Sequence, residues 1–97
     1  MLKARLLLFK LSPGSAAFFQ EVVSKIDTPL KARKGFRGVT YFTDDATGEC
    51  GGFVLWDSEE NAEAARTEIF PKFEAALKGM MKETPRHPLF AVFEPEV

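Results

Sequence analysis

The chain has 97 residues, a formal net charge of -1 and a single cysteine. Near-neutral charge argues against nucleic-acid binding, which needs a basic surface to displace counterions. One cysteine excludes an intramolecular disulfide and any cysteine-based metal cluster, and suits a reducing cytoplasm. The length suits one domain over residues 1–97. The opening stretch MLKARLLLFKL is basic and then apolar, but its apolar run is only about five residues, too short for the core of a signal peptide. No segment is long enough to span a membrane.

Residues 2–11 alternate as a strand, with Ala4, Leu6 and Leu8 on one face and Lys3, Arg5, Leu7 and Phe9 on the other. A helix follows. Ser12 and Ser15 compete as its cap, and Phe19, Val22, Val23, Ile26 and Leu30 form one apolar stripe. Thr28-Pro29 is expected to restart this helix as a separate turn, and Gly35 to end it. Residues 36–43 form a second strand, residues 45–48 (DATG) a three-residue hairpin loop, and residues 49–57 a third strand. Asp57-Ser58-Glu59-Glu60 starts a second helix, with a cap and then acids at the positive end of the dipole. Its stripe is Ala62, Ala65, Ile69, Phe73, Leu77 and Met80, and Pro71 should bend or split it near Phe70. Residues 82–88 read as a loop and 89–97 as the last strand. The order β-α-β-β-α-β predicts an α+β, ferredoxin-like domain: four antiparallel strands with two helices on one face.

The third strand is apolar on both faces, so both must be covered. If Asp45 and Glu49 close the hairpin, Arg37 faces Asp57, Val39 faces Leu55, and Tyr41 faces Phe53, all favourable pairs. One face then carries Val39, Tyr41, Phe53 and Leu55. The other carries Phe36, Gly38, Thr40, Phe42, Cys50, Gly52, Val54 and Trp56. The second face is assigned to the helices, where Gly38 and Gly52 leave room for a helix or for a ligand beside Trp56, with Thr40 as a polar group. The first would be a large bare patch, which soluble monomers rarely tolerate. A second copy in a C2 arrangement is its simplest cover.

With KGFRGVTYF, GGFVLWDSEENAEAA and IFPKFEAAL placed in this order, nearly the whole chain resembles the antibiotic biosynthesis monooxygenase-like domains of the dimeric α+β barrel superfamily. The resemblance implies a homodimer whose sheets form a barrel, with a pocket in each subunit between sheet and helices. It implies that Trp56 is the pocket tryptophan. It also implies a chemistry that needs no metal, flavin or other cofactor: an electron-rich phenol or quinol reduces oxygen directly, and the protein supplies shape, desolvation and a proton acceptor. The haem-degrading branch needs a His about ten residues after this Trp and an Asn on the first strand. Neither is present, so haem degradation is not expected.

Each candidate residue also has a plainer reading. Trp56 either lines a pocket or fills the core. His87, the only histidine, could act as a general base, with Glu83 or Glu94 as neighbours, or could be an exposed loop residue. Cys50 reads as inert packing. Lys31, Arg33, Lys34 and Arg37 could draw an anionic ligand, but cations also suit a helix C-terminus. Asp44, Asp45 and Glu49 read as a solvated hairpin tip, with too few oxygens for a metal. The leading expectation is a cytoplasmic homodimer that binds a small apolar or aromatic molecule, with no nucleic-acid or membrane partner. Cofactor-free oxygenation is its expected activity if it is an enzyme. A non-catalytic dimeric binding or stress-associated module is the rival, and lactone isomerase or lyase chemistry a third reading.

Overall fold

A computed structural model describes residues 1–93 and 95. The elements run β1 (Lys3–Lys10), α1 (Ala16–Lys31), β2 (Phe36–Thr43), β3 (Glu49–Trp56), α2 (Glu59–Leu77) and β4 (Leu89–Ala91), with a 3₁₀ turn at Lys78–Met80 after α2. The sheet order is β2-β3-β1-β4, with every neighbouring pair antiparallel, which is the ferredoxin-like arrangement expected. Both helices pack on one face of the sheet. No described helix is long and apolar enough to cross a membrane.

The helices form where their apolar stripes demand burial. Phe19, Val22, Ile26 and Leu30 of α1 are buried, as are Ala62, Ala65, Ile69, Phe70, Phe73 and Leu77 of α2. They close over Leu7, Phe9, Cys50, Val54 and Trp56 of the sheet. Ser58 caps α2 by accepting from Asn61 N (3.2 Å), as its sequence predicts. At α1 the cap comes from elsewhere. Ser15 Oγ donates to the Ser12 carbonyl, and the free Ala16 N–H donates to Asp45 Oδ1 of the hairpin tip (3.0 Å). Asp45, expected to be merely solvated, therefore ties the hairpin to the helix start.

Neither proline breaks its helix. α1 continues through Pro29 to Lys31, and α2 runs unbroken through Pro71. Each proline removes one backbone bond. The buried side chains flanking it, Ile26 and Leu30 in α1, Phe70 and Phe73 in α2, hold the helix to the sheet regardless. Gly35 lies beyond α1 in the turn to β2. Its φ of 83° is in the left-handed region, and its carbonyl accepts from Asp57 N.

The hairpin register differs from the expected one by one residue. Asp44 N donates to the Glu49 carbonyl (2.7 Å), so the loop holds Asp45–Gly48, one residue more than predicted. Val39 therefore pairs with Val54, Thr40 with Phe53 and Tyr41 with Gly52. A one-residue slip turns every side chain of a strand to the other face. Val39 and Tyr41, expected on the bare face, lie under the helices, packed against the core. Gly38 and Thr40, expected beside Trp56, lie on the bare face. A bulge between Phe36 and Gly38 absorbs the slip, so Phe36 still faces Trp56, while Arg37 loses the cross-strand partner expected in Asp57. Phe53 and Leu55 are on the bare face as expected, with Leu6, Leu8, Phe42 and Phe90.

The segment read as a loop before β4 is extended and runs beside β1. Leu8 exchanges backbone bonds with Arg86, Leu6 N donates to Pro88 O, and Lys82 N to Lys10 O. Only Leu89–Ala91 forms regular strand. Glu94, Glu96 and Val97, at the end of the expected strand, lie outside the described residues.

Candidate functional site

The cleft between sheet and helices opens beside Trp56, the last residue of β3. Its indole is almost fully buried and meets Phe36 edge-on, centroids 5.9 Å apart. α2 crosses it with Ala62 and Ala65, side chains small enough to leave a gap. With Leu7, Leu30, Val54 and Phe70 they enclose an apolar cavity of about 20 Å³. That is room for about one water molecule. Gly52 does not widen it, because the Tyr41 ring already occupies that space; a methyl group there would lie 3.2 Å from Tyr41 Cδ1.

One end of the cavity is polar, and its residues come from three elements. Arg5 of β1 shares the helix-facing side with Leu7 and Phe9, so its alternation buries it. Its guanidinium donates through Nη1 to the His87 carbonyl (2.6 Å) and through Nη2 to Glu63 Oε1 on α2. Among the described residues its Nε is buried and has no acceptor. Glu63 Oε2 accepts from Arg66 Nε at 3.0 Å. Hydrogen bonds from Arg5, then from Arg66, hold the Glu63 carboxyl below the usual carboxylate range. Both Arg5 and Arg66 line the cavity. The sequence groups Arg5 with Lys3, Leu7 and Phe9 on one side of the strand and gives it no role. The signal was there: a lone guanidinium among apolar neighbours on a strand face that must be buried.

The other candidates fall away from this point. His87 presents its carbonyl to Arg5, while its ring packs on Phe70, centroids 4.7 Å apart, and is not part of the cavity wall. Glu94 lies outside the described residues. Tyr41 donates to Asp27 Oδ1 (2.9 Å), and burial, then Asp27, pushes its hydroxyl pKa up. Asp27 also pairs with Lys31 at 2.8 Å, which takes that lysine out of the proposed cationic cluster. Cys50 is buried, and burial alone raises its thiol pKa to about 11, so it is a packing residue. A larger depression of about 290 Å³ lies between α1 and the edge strand β2, lined by Phe19, Val23, Tyr41 and Phe42. Its only ionisable group, Tyr41, is already engaged by Asp27.

No protein-family model and no curated protein matches the sequence. Solved structures match along nearly its whole length. The fold is similar to SnoaB, a cofactor-independent oxygenase from Streptomyces nogalater, at a TM-score of 0.77 and 18% identity over 97% of this chain and 95% of that one. It is similar to a monooxygenase from the ActVA-Orf6 gene of Streptomyces coelicolor, solved with nanaomycin D, at 0.78 and 13% over 98% and 90%. It is also similar to Rv0793 from Mycobacterium tuberculosis, at 0.79 and 15% over the whole of both chains. The chain thus has the fold of the antibiotic biosynthesis monooxygenases, as the resemblance in its sequence implies.

Proposed function

We propose that the protein is a cytoplasmic homodimer that binds a small phenol- or quinol-type aromatic in the cleft beside Trp56 and oxygenates it without a cofactor. The observation that carries this reading is the cleft itself: apolar walls around a buried tryptophan, with charged groups at one end only. That pattern orients an aromatic ring with its oxygen towards the charges. Trp56 supplies a flat wall, and the surrounding aliphatic side chains exclude water. An electron-rich ring held there loses its hydroxyl proton to water at the Glu63 end, since the His87 ring is turned onto Phe70. The anion then gives two electrons to oxygen by forming a carbon–oxygen bond, and the O–O bond of the resulting hydroperoxide breaks to leave one oxygen on the ring carbon as a carbonyl and the other as water. The fold shared with a cofactor-independent oxygenase supports the same reading.

One observation favours a non-catalytic binding module instead. The cavity of about 20 Å³ holds no bicyclic ring as it stands. Binding requires the rim to move, and the rim is where movement costs least: Arg66, the lining side chain that is not buried, is 35% exposed. Oxygen uptake with anthrone- and naphthol-type hydroquinones separates the two readings. An oxygenase turns over at least one, and Trp56→Ala lowers the rate by tenfold or more, on the order of 1.4 kcal/mol of transition-state binding. Uptake that Trp56→Ala leaves unchanged would remove the site from this cleft. Absence of uptake from a folded protein that binds the same compounds would favour the binding module.

A further inference from the structure

One of the three guanidinium nitrogens of Arg5 has no partner among the described residues. Nη1 and Nη2 are committed to the His87 carbonyl and Glu63, and Nε is buried without an acceptor among the described residues. Buried donors are almost always satisfied, and those on a charged group are costly to leave unmet. Arg5 lines the cavity beside Trp56, which when closed has room for about one water and leaves Nε out of reach, so an acceptor meets Nε only as the rim opens. We propose that this Nε–H receives the ionised oxygen of the bound aromatic, so that the site takes phenolates or enolates in preference to neutral ethers of the same shape. The inference rests on reading the cleft as an aromatic-binding site.

The local charge supports an anion. Glu63 faces two guanidiniums, Arg5 and Arg66, so this trio carries a net positive charge. The nearest charges on the same faces of β1 and α2, Lys3 and Glu59, lie 4.0 Å apart and offset each other. From the segment before β4, His87 contributes its carbonyl to Arg5. A guanidinium does not lose its proton in a protein, so the positive charge persists across the pH range. Burial opposes ionisation of a hydroxyl held here and the adjacent positive charge favours it; the inference is that the charge prevails. The O–H bond breaks with its electron pair left on the ligand oxygen, and the proton passes to solvent. No oxidant takes part. The walls fit the same picture: Leu7, Val54 and Trp56 are fixed in the sheet, and the partly exposed Arg66 is the lining side chain free to swing aside while Glu63 stays on Arg5.

Calorimetric titration with 1-naphthol and with 1-methoxynaphthalene tests this, because the two share a ring system and differ at the oxygen. The natural protein should bind 1-naphthol about tenfold or more tightly than its ether. The bound naphthol should show naphtholate absorption at a pH where the free compound does not. Arg5→Met should bring the ratio close to one by weakening naphthol alone. The exchange of a buried guanidinium for a side chain of similar length need not unfold the chain. Should that variant not fold, the Arg5 Nε–H resonance of the natural protein decides: naphthol should shift it and the ether should not. If both compounds bind equally well, or the preference survives in Arg5→Met, the cleft remains an aromatic site and the role of Arg5 is wrong. If neither binds, the reading of the cleft falls, and this inference with it.

Discussion

Single side chains carry the electrostatics of the cleft, and Glu63 is the one whose titration is legible. Its carboxyl is held below the usual value of 4.5, first by the hydrogen bond from Arg5. Because the folded pKa is the lower one, the stabilisation is complete above about the unfolded value and is lost as pH falls through the folded value. Glu63→Gln keeps an oxygen for Arg5 but does not ionise. The natural protein should therefore melt a few degrees above the variant at pH 7, with the gap closing below about pH 4.5. The half-exposed carboxylate keeps the effect modest. Melting curves whose gap stays constant from pH 7 to pH 3 would show that the Arg5–Glu63 ion pair adds nothing. Arg5 and Glu63 also mark the limit of reading at this scale. Each is an ordinary charged residue in its own segment, 58 positions from the other. Only the fold brings them together. Trp56, by contrast, stood out in the sequence as a bulky residue at a strand end.

At the scale of elements, the order and kind of every strand and helix followed from period and punctuation. The places where the reading missed are local. A loop one residue longer than the three-residue turn expected of DATG reversed the faces of β2, because side-chain direction in a strand has a period of two. The pairs Val39 with Leu55 and Tyr41 with Phe53 were chemically sensible, so pair preference alone could not expose the slip. The two prolines were overrated for a related reason: local breaking signals yield when buried stripes on both sides hold a helix in place. The register is open to a direct test. Thr43 lies opposite Cys50 in β3. Mild oxidation of Thr43→Cys should close a disulfide with Cys50, seen by mass as the loss of two hydrogens. Asp44→Cys, opposite Cys50 in the rejected register, should not close one. The reverse result would restore the three-residue turn.

At the scale of the whole molecule, one face of the sheet is bare of helices. Phe42, Phe53 and Phe90 are 38%, 40% and 50% exposed there, and Leu6 and Leu8 lie between them. A continuous apolar surface of this kind marks an interaction site. That a bare face exists was legible from the two-sided apolar pattern of β1 and β3. Its composition was not, since that depends on the hairpin register. We propose that a second copy covers it. Sedimentation should give a dimer for the natural chain and a monomer for Leu55→Glu, whose charge would lie on that face between Ala4 and Gly38. A folded variant with the mass of the natural assembly would place any self-association elsewhere.

The strand order also sets a schedule for synthesis. β1 lies between β3 and β4, both made after it, and the partner of Lys10 is Glu49. About 40 residues must be added before β1 meets any strand, roughly two to eight seconds at about 5–20 residues per second. Through that interval ARLLLF is an unpaired apolar stretch with high strand propensity, the kind of segment that nascent chains lose to aggregation. Lys3, Arg5 and Lys10, in and beside that run, stand where gatekeeper charges oppose such association. The guanidinium at the polar end of the cleft is thus also the charge that interrupts the apolar run of the first strand before its neighbours exist.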